Sequence, residues 1–229
     1  SSLPEGSTPR TTAENAPRTM PESSRPVASK LAEAYASLKS AGVVLPDDPM
    51  QVTTIETYNT QLTGEHAAHF PAFPYLQVLN FVRTPEAAAI LKELPPLPTV
   101  VALTLSGCPI TDGDLVHLQK FPAIRSLNLE GTAVKGPGLE HLKHTPRVTY
   151  LNLPHEGMTR DLVPLICQLR FVEYIQPFPS GLTDNDLRLI GQLTRLKQLK
   201  LESTVTDSGL AHLSGLQDLE QVHLPNNFP

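Results

Sequence analysis

The chain has 229 residues, 40% of them hydrophobic, with a formal net charge of −5 and a pI near 5.9. That is apolar material for one large domain, but no run is long and apolar enough to form a membrane span. No basic stripe of the kind a duplex nucleic-acid binder carries is visible, and two cysteines in so long a chain do not make a disulfide framework.

Residues 1–26 (SSLPEGSTPRTTAENAPRTMPESSRP) are a Ser-, Pro- and Thr-rich stretch with almost nothing to bury. Such a segment cannot offset the entropy of ordering, so a disordered tail is expected. It holds no charged segment followed by an apolar run, so no signal peptide is expected within it. Residues 27–51 change character. Leu31, Ala34, Tyr35 and Leu38 fall at the i, i+3, i+4, i+7 spacing of an amphipathic helix, and Gly42 can end it in the left-handed conformation. Pro46-Asp47-Asp48-Pro49 then reads as a turn. This helix is placed to cap whatever core follows.

From Val52 to the end the chain repeats itself. Segments begin at Val52, Leu76, Val100, Ile124, Val148, Val172, Leu196 and Leu219, a step of 24 residues except for the last, which is 23. We number them repeats 1 to 8. Within each, a Leu-x-Leu pair (Leu127 and Leu129, Leu151 and Leu153, Leu199 and Leu201) predicts a short strand with its leucines inward and alternate residues outward. Strands of successive repeats should stack into one parallel sheet. Eight residues after each start stands a small polar residue: Thr60, Thr84, Cys108, Thr132, Ser180 and Thr204, with Asn227 closing the column. These are read as a structural column that satisfies backbone groups at a buried turn. Cys108 belongs to it, and no bond to Cys167 is expected. The apolar residues Ile110, Val134, Leu182 and Val205 follow. Thr111-Asp112, Thr183-Asp184 and Thr206-Asp207 are then expected to cap short helices by accepting their free N–H groups. Those helices should bury Leu115 with Leu118, Leu139 with Leu142, Leu187 with Ile190, and Leu210 with Leu213.

No catalytic constellation is found. His69, His117, His141 and His212 recur before the second helical leucine, but the repeat itself explains the recurrence, and helices 8–10 Å apart are too distant to share one ion. There is no phosphate loop, nucleophile elbow or HExxH. No enzyme activity, metal or other cofactor is expected.

The outward strand positions predict what a partner would meet. Repeats 3 and 4 offer small residues there, whereas repeats 5 and 6 bring Tyr150, Tyr174 and Phe178 together, with Asn152, His155 and Gln176 beside them and Lys200 following in repeat 7. Aromatic side chains bury much area with few rotors, so this cluster is the expected partner-binding site. A second reading stays open, in which the rings merely pack on one another across adjacent strands. The same region departs from the consensus: Pro177 takes an inward position where Leu is usual, and the turn PHEGMTRD of repeat 5 lacks a column threonine.

A period of this length with an LxxLxL core resembles the leucine-rich repeat, over residues 52–229, and the TD-x-GL-x-HL half is similar to bacterial members of that class with short convex helices. The resemblance implies an α/β leucine-rich-repeat solenoid of about seven and a half repeats, with a curved parallel sheet on the concave side, short helices on the convex side and an N-terminal capping helix. It also implies a protein partner on the concave face rather than nucleic acid, in a scaffold of the kind bacterial effectors use against host proteins. The alternative is the substrate-recognition part of a larger enzyme, such as a ubiquitin ligase, whose catalytic part lies elsewhere. No C-terminal cap is recognisable, so the natural protein is expected to continue. Identity of the partner, oligomeric state and localisation are not legible.

Overall fold

The 24-residue period is realised as strand register. In a computed structural model, residues 25–58, 60–201 and 205–223 are described; the tail at 1–24 and the column positions Thr204 and Asn227 lie outside them. Each repeat contributes one three-residue strand: β1 Thr54–Glu56, β2 Val78–Asn80, β3 Ala102–Thr104, β4 Ser126–Asn128, β5 Tyr150–Asn152, β6 Tyr174–Gln176, β7 Gln198–Lys200 and β8 Gln221–His223. From β1 to β6 the partners run Thr54↔Val78, Val78↔Ala102, Ala102↔Ser126, Ser126↔Tyr150 and Tyr150↔Tyr174, all parallel.

Every other strand residue faces the interior, as the two-residue alternation of a strand requires. Ile55, Leu79, Leu103, Leu127, Leu151, Ile175 and Leu199 are buried, as are the repeat-start residues from Val52 to Leu196. They join one continuous core with the convex side. The convex segments are α2 Ala87–Glu93, α3 Val163–Ile166, α4 Asp184–Ile190, α5 Asp207–Leu210, and 3-10 stretches such as Asp112–Lys120 and Pro137–His144. Leu115/Leu118, Leu139/Leu142 and Leu187/Ile190 are buried, while Leu210 is only partly covered. Apolar residues three apart suit 3-10 turns, in which i and i+3 eclipse. At the N-terminal end, α1 (Arg25–Ser40) lays Leu31, Ala34 and Leu38 into this core and packs on the 3-10 segment Gly64–Ala72. The whole is an α/β leucine-rich-repeat solenoid.

Two expectations need correction. The sheet is not continuous: β1–β6 form one six-stranded sheet, and β7–β8 form a separate two-stranded one. The break coincides with a missing donor. In the other junctions the residue just after the strand donates its N–H to the last strand residue of the next repeat: Phe81 to Thr104, Leu105 to Asn128, Leu129 to Asn152, Leu153 to Gln176, and Leu201 to His223. At the β6–β7 junction this residue is Pro177, which has no N–H. Among the described residues, one backbone bond is left across that junction, from Lys197 N–H to the Glu173 carbonyl at 2.9 Å.

The second correction concerns the aspartates of the Thr-Asp pairs. Thr111 and Thr183 stand at N-caps in capping boxes with Asp114 and Asp186, whose carboxylates accept from the threonine hydroxyls at 2.7 Å and from their backbone N–H groups at 2.8 Å. The neighbouring aspartates reach into the next repeat instead. Asp112 accepts from the N–H groups of Lys135, Gly136 and Gly138 at 2.8–3.0 Å. Asp184 accepts from Thr206 N–H at 2.9 Å and from the hydroxyls of Thr206 and Ser208. These carboxylates clasp neighbouring repeats together, which holds the Asp184 carboxyl below the usual aspartate range, chiefly through the Thr206 hydroxyl. The glycine of the GL motif follows from the same contact: a Cβ on Gly138 would lie 2.6 Å from the Asp112 Cα.

The polar column satisfies backbone carbonyls. Thr60 and Thr132 donate to the carbonyls of Thr57 and Leu129 at 2.8 and 2.7 Å, and the Cys108 thiol donates to the Phe81 carbonyl at 3.1 Å. Thr84 and Cys108 are buried, but Ser180 is exposed. Burial raises the Cys108 thiol above its ordinary range and pushes Cys167 up to about 11, so both stay protonated at neutral pH. The two cysteines are free.

Candidate functional site

The turn that carries the chain off each strand decides the shape of the concave face. In repeats 2, 3 and 4 the left-handed residue comes seven positions after the repeat start, at Arg83, Gly107 and Gly131. In repeats 5 and 6 it comes nine positions after, at Gly157 and Gly181. The chain therefore runs two residues further before turning. Met158 fills the apolar place that Ile110 and Val134 hold in repeats 3 and 4, and it is 4% exposed. The Ser180 N–H donates to the Met158 carbonyl at 2.9 Å, which ties the two lengthened turns together.

His155 and Phe178, carried by the two lengthened turns, thus stand beside the interrupted sheet and help to line a cleft of about 480 Å³. Its lining is Glu130, Asn152, His155, Ile175, Gln176, Pro177, Phe178, Gln198, Lys200 and His223. Five of the seven expected site residues are here: Asn152, His155, Gln176, Phe178 and Lys200. Phe178 packs partly into the core and forms a wall rather than a free finger. Tyr150 and Tyr174 are not in the lining. They lie on the same face, ring centroids 6.2 Å apart at 42°, with the Lys197 ammonium 5.7 Å from the Tyr174 ring centroid. Tyr150 is 36% exposed, so the pair both packs on itself and presents an edge.

Within the cleft the polar groups form chains across strands. Gln176 donates to the Gln198 amide oxygen at 3.1 Å, and Gln198 meets His223 Nε2 at 3.1 Å. Asn152 donates to Glu130 at 3.3 Å, and His155 Nε2 lies 3.8 Å from the same carboxylate. Lys200 is exposed, with no ion partner among the described residues. The lining includes no Ser, Thr or Cys. Primary amides each supply both donors and an acceptor, so a row of them suits the alternating N–H and C=O groups of a peptide. Glu130, Gln198 and His223 were not singled out from sequence. Their outward strand-column positions were legible, but not their place beside a gap.

The recurring histidines do not converge. Among the described residues no group of three or more His, Cys, Asp or Glu could hold a metal ion. His141 stacks on His144 with ring centroids 6.1 Å apart, and burial, reinforced by Lys120, lowers the His117 pKa. No described helix is long and apolar enough to cross a membrane.

No protein-family model matches the chain, and no curated protein matches it. Among solved structures, the internalin InlF of Listeria monocytogenes is similar with a TM-score of 0.48 and 17% identity, covering 69% of this chain and 44% of that one. A TDR receptor is similar with a TM-score of 0.38 and 16% identity, covering 60% and 24%. The chain spans less than half the length of either. Likeness at these levels says nothing of what this chain binds, and the fold stands on its own register and core.

Proposed function

We propose that this chain is a protein-interaction module that holds a partner on its concave face, across repeats 5 to 7. The supporting observation is the cleft beside the sheet interruption, where longer turns, an amide row, a phenyl wall and an exposed lysine meet. Tyr150 and Tyr174 extend the same surface towards repeat 4. The partner's contact is an extended peptide or loop, because the amide row offers a backbone both donors and acceptors. That the partner belongs to a host, and the chain to a bacterial effector, rests on the resemblance of the TD-x-GL-x-HL half alone. Recognition on behalf of a catalytic part elsewhere uses the same surface and is not favoured by any separate observation.

The test is a pair of bait proteins carrying a photo-crosslinking residue, one at Phe178 and one at the exposed convex Arg188. A partner that crosslinks from 178 and not from 188, and whose capture falls on Tyr150→Ala with Tyr174→Ala while the circular dichroism spectrum is unchanged, supports the reading. Equal crosslinking from both positions, or capture indifferent to the tyrosines, refutes it.

A further inference from the structure

The chain is acidic as a whole, yet one rim of the solenoid is not. We propose that the rim formed by the loops leading into β4–β7 is a docking surface for an acidic segment of a partner protein. Sequence order disperses its cations, and the 24-residue period gathers them. One position after the repeat start, Arg125, Thr149, Glu173 and Lys197 stack directly: Thr149 N–H donates to Arg125 O at 2.8 Å, Glu173 N–H to Thr149 O at 2.8 Å, and Lys197 N–H to Glu173 O at 2.9 Å. One position before the start, Arg147, Phe171 and Arg195 follow one another in the same order, with Arg170 beside Phe171 and Lys143 ahead of Arg147. At a strand spacing of about 4.8 Å, the step from Arg125 to Lys197 covers roughly 15 Å.

These side chains are available. Arg125, Lys143, Arg147, Arg170 and Arg195 are exposed, and among the described residues none pairs with a carboxylate. The acid within the rim, Glu173, is held by Lys197 at 2.9 Å. The Arg195 guanidinium lies 5.1 Å from the centroid of the Phe171 ring, which is 44% exposed. That stacking orders an arginine without neutralising it. The patch has ends: the preceding repeats carry Gln77, Thr99 and Val101 here, and the last repeat carries Asp218 and Glu220.

Guanidinium groups bind carboxylates through two parallel hydrogen bonds. A short cationic rim with Glu173 inside it and Asp218 and Glu220 at its edge suits a short acidic segment better than a continuous polyanion. Tyr150, whose N–H also donates to the Arg125 carbonyl, joins this rim to the concave face. The inference rests on the reading that the partner is a protein, but it stands on different side chains.

The experiment measures fluorescence anisotropy of the full chain with a labelled peptide of alternating glutamate and glycine. A single-stranded oligonucleotide and phosphatidylserine vesicles serve as competing probes. We expect the peptide to bind, to weaken as salt rises, and to weaken roughly tenfold or more when Arg125, Arg147 and Arg195 are changed together to Glu. The milder Gln triple variant should show an intermediate loss with an unchanged circular dichroism spectrum. Lys39→Glu with Arg83→Glu, away from the rim, should bind like the wild type. Gln176→Ala with Phe178→Ala should leave peptide affinity unchanged, which separates failure of this proposal from failure of the concave reading. Absence of binding, indifference to the Glu triple, or tighter binding of the oligonucleotide or vesicles overturns the proposal. So does self-association of the chain that the Glu triple abolishes, since the rim would then meet a second copy.

Discussion

Repeats 2 to 4 and repeats 5 to 7 have the same period and different edges. In the first group, every strand passes its hydrogen bonds to the next, the left-handed turn residue (Arg83, Gly107 or Gly131) falls at one place, and β3 and β4 carry small outward residues. In the second, the turn of repeats 5 and 6 comes two residues later, the strand ladder stops at Pro177 and the outward strand residues are large or charged. The core does not register this difference, since Leu127 and Leu151 are 0% and 1% exposed. A solenoid separates the two tasks: inward columns set the pitch, and outward columns and turns vary without disturbing it.

The largest expected effect tests that separation in the regular half. Leu127→Ala should cost about 2–5 kcal/mol by urea denaturation, because a fully enclosed site cannot collapse around the cavity. Met158→Ala, beside the lengthened turn, should fall at or below the low end of that range; an equal loss would mean that the irregular turn is packed as tightly as the core. Gly138→Ala should cost about 1–3 kcal/mol by overpacking against the Asp112 backbone. The matching change at Gly113, where a Cβ has room, should cost only a small fraction of that.

A smaller effect concerns the clasp from Asp184. Its carboxyl is held below the ordinary value by the Thr206 hydroxyl and N–H. A depressed carboxylate stabilises the fold above its unfolded pKa, and that contribution is lost as pH falls through the folded value. Asp184→Asn should therefore be less stable than wild type at neutral pH, with the gap closing in acid. A gap independent of pH would show that the clasp works through shape rather than charge. Pro177→Leu restores the missing donor and should bring the two sheets into one, seen as a newly protected amide at 177 in hydrogen exchange and as weaker partner capture. The smallest effect is Glu173→Gln, which should leave the melting temperature within error, since a half-exposed surface ion pair contributes little.

Much of this was legible in the sequence because a repeat averages out local ambiguity. The strand positions, the buried columns and the helix α1 follow from side-chain periodicity alone. The sheet break was also readable, since a proline cannot donate, and the turn shift is visible in the intervals between Gly107, Gly131, Gly157 and Gly181. What periodicity does not carry is reach across repeats. Asp112 and Asp184 look like caps of their own helices until the next turn is in view. Tyr150 and Tyr174 look like the centre of the site, but the cleft forms where strands part, one column over. The rim arginines are separated by more than twenty residues in the chain, so linear inspection finds no stripe.

The junction between β6 and β7 is held in a different way from its neighbours. Among the described residues its concave side carries one backbone bond, the Gln176–Gln198 amide contact and the Lys197–Glu173 ion pair, and its convex side carries the contacts of Asp184 with Thr206 and Ser208. A junction closed largely by side chains can be tuned by substitution, whereas one closed by the main chain cannot.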